Sequence, residues 1–401
     1  MRFIKIGVPL VLLIFGFSNS TIAQLGTTAL PFLEINNNAR SMGMGGATVA
    51  LNNSSGGLHL NPATFGKNGM LQIYSPFDPG NEYGFFTTRW LPDFNVEDLY
   101  LRNPRVIIGF DKFSIGYQFT YLNLGEQVLS DETNMLINTF NSYEYVHTLS
   151  FSMPVGKYFS LGFGVNDFKS SLATGVMING NEVEAATGLT YDFGAYFEYP
   201  LDYELVTITP SLGWSLTDFG YPIRYSPGTQ KDPLPMTMRG GFGLRMNSNA
   251  EFRGLTLISL GIYGSLEKLM VRKEEKTETR NGETIITYEP LGPVEALFRS
   301  WGPLERFNGQ ETISLNVWDQ FMRQSGLEYT LLEIFSIRIG KYYEHPDNGN
   351  RVYDTIGFGI NLKYLSFDYA RMDLDENGSP LNGTEFYELS INIPLDRLLG
   401  K

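Results

Sequence analysis

The stretch Leu30-Pro-Phe-Leu-Glu-Ile35-Asn-Asn-Asn-Ala-Arg40-Ser-Met-Gly-Met-Gly45-Gly-Ala-Thr-Val-Ala50-Leu51, followed by Leu60-Asn-Pro-Ala-Thr64, decides how the rest of the chain is interpreted. It is polar, rich in glycine and free of any long alternating run. Such a segment is a poor lipid-facing strand, because every backbone polar group inside a membrane must be paired. It stands after an export signal and before a long series of aromatic, alternating segments. Its position and composition predict a hatch at the head of an outer-membrane β-barrel.

Arg40 is the expected anchor of this hatch, since its planar guanidinium can hold two acceptors. The acidic partners expected inside the barrel are Asp192, Asp368 and Glu388. Three glycines, Gly43, Gly45 and Gly46, would let the backbone turn tightly against the wall. The alternative is a disordered periplasmic tail. The apolar residues Phe32, Leu33, Ile35 and Val49 to Leu51 argue against it.

Residues 1–23 have the features of an export signal. Arg2 and Lys5 supply the positive start, Ile6 to Phe17 form the apolar core, and Thr21-Ile22-Ala23 suits cleavage before Gln24. The core is shorter than the roughly 20 residues that a membrane helix needs. An uncleaved anchor is the alternative. The expected division is therefore a signal peptide over 1–23, a hatch over 24–69 and a barrel over 70–401.

Composition excludes several classes of function. The net charge is −13, which disfavours nucleic acid as a partner, and the chain has no cysteine for disulfides or thiolate metal sites. Its three histidines have no ligand spacing. No phosphate loop, dinucleotide fingerprint or nucleophile elbow occurs. The segment Asp373 to Gly378 imitates the start of a calcium loop, but its flanks are strand-like, so a plain turn is expected. We expect no enzyme activity, no cofactor and no metal.

A period-two pattern recurs from about residue 70 to the end of the chain. One face is oily and the other is made of Gly, Ser, Asn and Gln, which suits a barrel lumen better than the surface of a soluble sandwich. Phe119 and Phe163 are expected to face lipid, and Gln118 and Asn166 the lumen. The clearest segments are Phe113 to Tyr121, Phe159 to Asn166, Leu189 to Tyr199, Ile356 to Leu362 and Tyr387 to Ile393. Further strands are expected near 83–90 and 311–318, among others. Together they predict an all-β, antiparallel transmembrane barrel.

Tight turns such as Pro154 to Lys157 should lie on one side of the membrane. Longer polar stretches, expected as loops on the other side, cover 124–142, 170–184, 218–235, 268–310 and 344–352. The 268–310 stretch is the long extracellular loop of this prediction. It contains the mixed-charge run Lys273 to Arg280 before the turn Asn281-Gly282, which predicts a solvated hairpin. Residues Glu295 to Trp301 could form a short helix or contact a partner.

Three blocks of the chain resemble the PorV/PorQ family of outer-membrane barrels, which are related to the fatty-acid transporter FadL. The first comprises Pro31 to Ile35, Ala39-Arg40, Met42 to Ala47 and Asn61-Pro62-Ala63, so the resemblance adds Asn61 and Pro62 to the hatch residues. The second spans Phe140 to Tyr145 and Leu161 to Asn166. The third comprises Gly326 to Tyr329, Ile337 to Tyr342, Gly349 to Arg351 and Asp368-Tyr369.

The resemblance implies a FadL-like barrel of about 14 strands with an N-terminal hatch. It also implies a place in the type IX secretion system of the Bacteroidetes, with a translocon barrel and the C-terminal signal domains of cargo proteins as partners. The leading hypothesis is a non-enzymatic outer-membrane barrel acting in protein secretion or surface attachment. The second is a FadL-like channel for hydrophobic small molecules, and the third is a secreted soluble β protein. No feature of the sequence separates the first two.

Overall fold

A computed structural model describes residues 28–79, 87–91, 98–130, 135–178, 181–226, 230–280, 283–307, 312–374 and 381–398. The expected signal peptide, the Asn281-Gly282 turn and residues 375–380 of the calcium-loop imitation lie outside these ranges. No helix in the described ranges is long and apolar enough to cross a membrane.

Fourteen strands of the described chain form one antiparallel barrel wall. They are β1 (Met70–Pro76), β2 in two pieces (Tyr100–Arg102 and Arg105–Gly109), β3 (Ser114–Ser130), β4 (Leu136–Pro154), β5 (Phe159–Ser171), β6 (Ala186–Glu198), β7 (Val206–Phe219), β8 (Thr237–Ser248), β9 (Ile258–Leu269), β10 (Met322–Leu331), β11 (Phe335–Tyr343), β12 (Val352–Asn361), β13 (Leu365–Leu374) and β14 (Glu385–Pro394).

Each strand pairs with the next, and the last strand pairs with the first. Met70 of β1 lies opposite Pro394 of β14, and Pro76 lies opposite Glu388. The sheet therefore closes on itself. This confirms the predicted antiparallel barrel and its number of strands.

The two faces of the wall have opposite chemistry. On β5 and β6 the outward side chains include Phe163 and Leu189, which are 39% and 51% exposed, whereas Thr190 and Asp192 point inward and are buried. A soluble sandwich would bury its oily face and expose the polar one. Because the oily face is outside here, the exterior fits hydrocarbon and the barrel is of the transmembrane type. The soluble alternative is therefore wrong, and Gln118 and Asn166 are inside as predicted, both 4% exposed.

Replacing Phe163 with arginine should destabilise the membrane-inserted barrel by about 2–4 kcal/mol if the side chain lies near the bilayer midplane. The matched control is Val128→Arg, because Val128 is 56% exposed on a hairpin beyond the wall. Unfolding in urea from lipid vesicles measures both free energies. Equal costs for the two variants would contradict the assignment of Phe163 to the lipid-facing surface.

The two ends of the barrel differ in the length of their connections. At one end, called here the short-turn end, the connections cover 110–113, 155–158, 199–205, 249–257, 332–334 and 362–364. At the other end, called the long-connection end, they cover 77–99, 131–135, 172–185, 220–236, 270–321, 344–351 and 375–384. This asymmetry agrees with the predicted division of turns and loops.

Three expectations for the connections were wrong. Residues 124–142 are mostly strand, because β3 and β4 continue as a hairpin beyond the rest of the wall. Residues 311–318 supply only Thr312–Leu315, which pairs with Leu304–Phe307 in a small separate ribbon. In the described part of 83–90, only Thr88–Arg89 is strand, and it pairs with the Tyr100–Arg102 piece of β2.

The connection between β9 and β10 contains a hairpin of Lys273–Arg280 and Glu283–Pro290, as predicted. It also contains a helix, Pro293–Arg299, where Glu295 to Trp301 suggested one. The other helices are short: a 3-10 turn at Pro31–Glu34 and α-helical turns at Ala39–Met42, Gly57–Leu60 and Leu395–Leu398.

Candidate functional site

Residues 28–69, called here the N-terminal segment, lie inside the barrel and precede β1. The segment has little regular structure, so its backbone carbonyls need other donors. Inward-facing serines of the wall supply them. These bonds run from Ser211 Oγ to Ala50 O (2.8 Å), from Ser215 Oγ to Leu60 O (2.6 Å) and from Ser152 Oγ to Ala63 O (3.2 Å). The small polar residues of the inner face thus bind the segment's backbone directly.

Arg40 binds a wall carboxylate through both arms of its guanidinium, but the partner is Glu328. Arg40 Nε lies 2.9 Å from Glu328 Oε2, and Arg40 Nη2 lies 2.7 Å from Oε1. The three partners named from the sequence were therefore wrong. Glu328 also accepts from Arg338 Nε at 2.7 Å, and Arg338 Nη1 donates to Asp368 Oδ1 at 2.7 Å. Arg40, Glu328, Arg338 and Asp368 form one alternating row of charges.

A second polar cluster surrounds Glu388 on β14. This carboxylate binds Arg105 of β2 and accepts from Asn38 Nδ2 at 3.0 Å and from Ser55 Oγ at 3.3 Å. Asn38 also caps the helical turn Ala39–Met42, because its Oδ1 accepts from Ser41 N at 2.8 Å. Sequence reasoning missed Asn38. An asparagine directly before the Ala39–Met42 turn is an N-cap signal that could have drawn attention to it.

Gly45 lies at one of the places where the segment approaches the wall closely. Its φ is +63°, and a Cβ there would stand 2.7 Å from Lys341 N, so both the conformation and the space require glycine. Gly340 is its counterpart on β11, because a Cβ at Gly340 would lie 2.1 Å from Gly45 N. Gly46 also has a positive φ, +86°, and Gly43 packs against Arg338 and Gly357.

Asn61 and Pro62 fix the far part of the segment. Asn61 Nδ2 donates to Val49 O at 2.9 Å and to Ala195 O on β6 at 3.2 Å. Pro62 lies against Gly162 and Gly194 of the wall, where a Cβ would have no room. All six residues expected to hold the segment are thus placed between it and the wall, although their functional role stays a prediction.

An apolar cluster lies inside the barrel at the long-connection end. Part comes from the start of the segment and part from the wall and its connections. Its buried members, called here the apolar cluster, are Ala29, Leu30, Phe32, Leu33, Leu91, Leu99, Leu101, Leu122, Val146, Phe168 and Leu234. Below it, a cavity of about 10 Å³ lies between Phe32, Leu33 and Ile35 on one side and Gln118, Asn166 and Asp218 on the other. That is room for about one water molecule.

The wall is interrupted beside the apolar cluster, between β1 and β2. Their ladder runs from Met70 opposite Gly109 to Tyr74 opposite Arg105, then stops. Among the described residues, the next pairing on this side of β2 is that of Thr88 with Leu101 and of Arg89 with Tyr100. Pro76 and Pro104 flank the interruption, and proline has no N–H to give to a ladder. Since Leu101 belongs to the apolar cluster, the end of the β1–β2 ladder lies near apolar side chains.

Glu34 is the charged group closest in sequence to the cluster residues of the segment. Burial raises its pKa from 4.5 to about 7, an effect that Arg351 opposes and Glu344 reinforces. Arg239 has a smaller lowering effect on that pKa, and Glu267 a smaller raising effect. Arg351 is itself bonded to Glu344, with Nε 2.6 Å from Oε2, and Glu34 Oε1 is buried without a hydrogen-bond partner.

This predicts that the segment is held less firmly at high pH. The folded pKa of Glu34 is raised, so retention is strongest below pH 4.5 and weakens as the pH rises through about 7. We expect more frequent channel openings at pH 8 than at pH 5 in planar bilayers. Glu34→Gln should flatten this dependence, whereas Glu289→Gln, at an exposed hairpin position, should not. An unchanged pH profile in Glu34→Gln would contradict the assignment.

No family model matches this chain, and no curated protein matches it. Among solved structures, it is similar to a Pseudomonas aeruginosa FadL homologue at 13% identity, covering 90% of this chain and 98% of that one, with a TM-score of 0.40. It is similar to the Ralstonia pickettii toluene transporter TbuX at 11% identity, covering 88% and 96%, with a TM-score of 0.40. The Pseudomonas putida toluene transporter TodX aligns at 11% identity over 88% and 95%, with a TM-score of 0.39.

The closed wall, its apolar exterior and its polar interior define an outer-membrane type of β-barrel. That assignment rests on the strand pairings and on the exposure of the two faces. None of these comparisons names the PorV/PorQ family, so the resemblance to that family stays a prediction.

Proposed function

We propose that this protein passes hydrophobic small molecules through the outer membrane and that the N-terminal segment is its hatch. The observation that carries the proposal is the apolar cluster beside the interrupted β1–β2 ladder. The cluster's side chains are packed against one another, and a hydrophobic ligand arriving from the long-connection end would find apolar partners among them. The interruption offers an exit towards lipid that avoids the polar lumen.

The part of the lumen that holds Glu328 and Glu388 supports the same proposal, because it is unsuited to an apolar ligand. The charged row through Glu328 and the polar cluster around Glu388 lie there, and both are hydrogen-bonded to the N-terminal segment. An apolar ligand there would have to displace charge-assisted hydrogen bonds without replacing them. A route from the apolar cluster to the lipid leaves these bonds intact.

Uptake of a hydrophobic fluorescent naphthylamine by cells with the protein in their outer membrane tests the proposal. We expect faster uptake than in cells lacking the protein. The double variant Phe32→Ser, Leu33→Ser should slow uptake several-fold, because it makes the cluster polar. Val128→Ser, on the projecting hairpin, is the matched control and should leave the rate unchanged. Equal uptake with and without the wild-type protein would exclude hydrophobic transport of this probe class.

A second candidate is the secretion or surface-attachment role expected from the sequence. The observation that favours it is the hairpin of β3 and β4. Pairing of β4 with β5 begins at Tyr143, so in the described chain the β4 residues before it pair only with β3. An exposed strand edge can accept a strand of another protein.

This candidate predicts capture of a cargo C-terminal signal domain by the purified barrel. Shortening the hairpin by removing 126–141 and joining its strands with a two-residue turn should abolish capture and leave naphthylamine uptake unchanged. Loss of uptake without loss of capture would assign the hairpin to transport instead.

A further inference from the structure

Three outward-facing residues continue the row of the lipid-facing surface, yet two of them are buried and the third is partly buried. Leu216 of β7, Met238 of β8 and Lys268 of β9 lie side by side in the pairing register. Their sequence neighbours Ser215, Arg239 and Glu267 point into the lumen, where Ser215 binds the N-terminal segment. Yet Lys268 is only 1% exposed and Leu216 only 5%. Something other than lipid covers the wall at this point.

The cover is the connection between β9 and β10, residues 270–321, called here the excursion. Its Met270, Leu291 and Ala296 pack with Leu216 in one apolar cluster, with Met238 and Leu297 against it. Gln320 Oε1 accepts from Lys268 Nζ at 2.6 Å. Arg272 Nη2 donates to Gly302 O at 2.6 Å and to Ser300 O at 3.1 Å. The excursion is thus folded back and fixed on the outside of the barrel, near the long-connection end.

The excursion also carries large apolar side chains that the protein itself leaves uncovered. Phe298 is 73% exposed, Trp318 66% and Trp301 45%. Both tryptophans contact Phe321, with ring centroids at 5.6 Å for Trp318 and 6.4 Å for Trp301. Phe321 immediately precedes β10, whose Met322 lies opposite Glu267, so Phe321 stands beside Lys268 on the outer face. One row further down lie Trp214 and Leu266, 42% and 41% exposed on the lipid-facing belt.

We infer that the excursion is a membrane-surface anchor whose aromatic side chains enter the outer leaflet where headgroups meet acyl chains. The occupant is lipid because the aromatic group is continuous, through Phe321, with the belt of Trp214 and Leu266. Tryptophan favours this boundary, since its ring is apolar and its N–H is polar. A water-facing excursion would expose these rings without a partner. This inference goes beyond the proposed transport and does not depend on it.

Fluorescence quenching in vesicles tests the inference with the full-length protein. The chain has four tryptophans, so four variants can each keep one, with phenylalanine at the other three positions. The probe is phosphatidylcholine brominated at acyl carbons near the headgroup or deeper in the chain. The variants that keep Trp301 or Trp318 should be quenched severalfold more by the shallow bromines than by the deep ones. The variant that keeps Trp214 should be quenched by lipid, and the one that keeps Trp90, packed against the apolar cluster, should be quenched least.

Quenching of Trp301 and Trp318 by aqueous iodide but not by lipid bromine would overturn the inference and mark the excursion as a surface for a soluble partner. A second change guards against misfolding of a tryptophan variant. Phe298→Ser, in the variant that keeps Trp301, should reduce shallow-bromine quenching, whereas Val128→Ser should not. Heat-modifiable gel migration verifies that each barrel is folded, and equal quenching in the two serine variants would count against Phe298 as part of the anchor.

Discussion

Deleting residues 30–63 is expected to give a folded barrel that conducts ions freely, whereas the intact protein stays closed for most of a recording. The wall closes by its own pairings from β1 to β14, none of which uses these residues. The deleted residues fill the lumen, so water and ions should replace them. Single-channel conductance in planar bilayers is the measurement, and we expect a rise from occasional openings to a continuous open state.

The control is removal of 273–290, a hairpin that belongs to the excursion outside the lumen, and its conductance should match the intact protein. Heat-modifiable migration establishes whether each deletion is folded. If the longer deletion does not fold, the double variant Asn38→Ala, Arg40→Ala keeps the segment but removes two of its anchors, and it should open more often than wild type. Indistinguishable conductance in folded deletion and intact protein would mean that the segment is no hatch.

Replacing Glu328 with alanine should lower the free energy of unfolding by about 3–5 kcal/mol, because it leaves the buried Arg338 and the partly buried Arg40 without their shared partner. Glu328 accepts from Arg40 of the segment and from Arg338 of β11, and Arg338 is only 4% exposed. Glu328→Gln should cost less, since the amide oxygen still accepts one hydrogen bond. Equilibrium unfolding in urea, in detergent micelles or vesicles, measures the difference.

Asp354→Ala is the matched control for this charge effect. Asp354 pairs with Lys341 at 3.4 Å, but both side chains are more than half exposed, so the cost should stay below about 1 kcal/mol. If Glu328→Ala and Asp354→Ala destabilised the barrel equally, the row of charges through Glu328 would have no special role. Single-channel recording of Glu328→Ala should also show more openings, because Arg40 loses its wall partner.

The barrel and its two faces could be predicted from the sequence because each wall residue meets only one of two environments. The run Phe159 to Asn166 shows this, with aromatic and aliphatic side chains towards lipid and glycine, serine and asparagine towards the segment. Because successive strand side chains point to opposite faces, this contrast is visible in the sequence as a period of two residues. Where a strand leaves the membrane the contrast disappears, since water lies on both sides. That is why residues 124–142, with polar side chains such as Asn138 and Asn141, were taken for a loop although they continue β3 and β4.

For the contacts between the N-terminal segment and the wall, the sequence could predict the kind of partner residue but not which residue it is. Arg40 clearly needed an acceptor, but its partner is 288 residues away and several inward acids were chemically equivalent. Which acid it meets depends on where the segment crosses the lumen. That path is fixed by contacts such as the one between Gly45 and Gly340, and such contacts produce no repeating pattern in the sequence. The excursion was equally hidden, because Lys268 on an outward face suggests exposure until the chain that covers it is seen.

The position of Glu388 has a consequence for how the molecule assembles. Glu388 belongs to β14, the strand that closes the wall by pairing with β1. The same carboxylate binds Arg105 of the second strand and Asn38 and Ser55 of the N-terminal segment. Without β14 in the wall, all three groups would lack this partner and the segment would not be enclosed. Closing the wall and holding the segment therefore depend on the same carboxylate. A barrel closed without its N-terminal segment would leave Glu388 and Arg105 facing an open, water-filled bore.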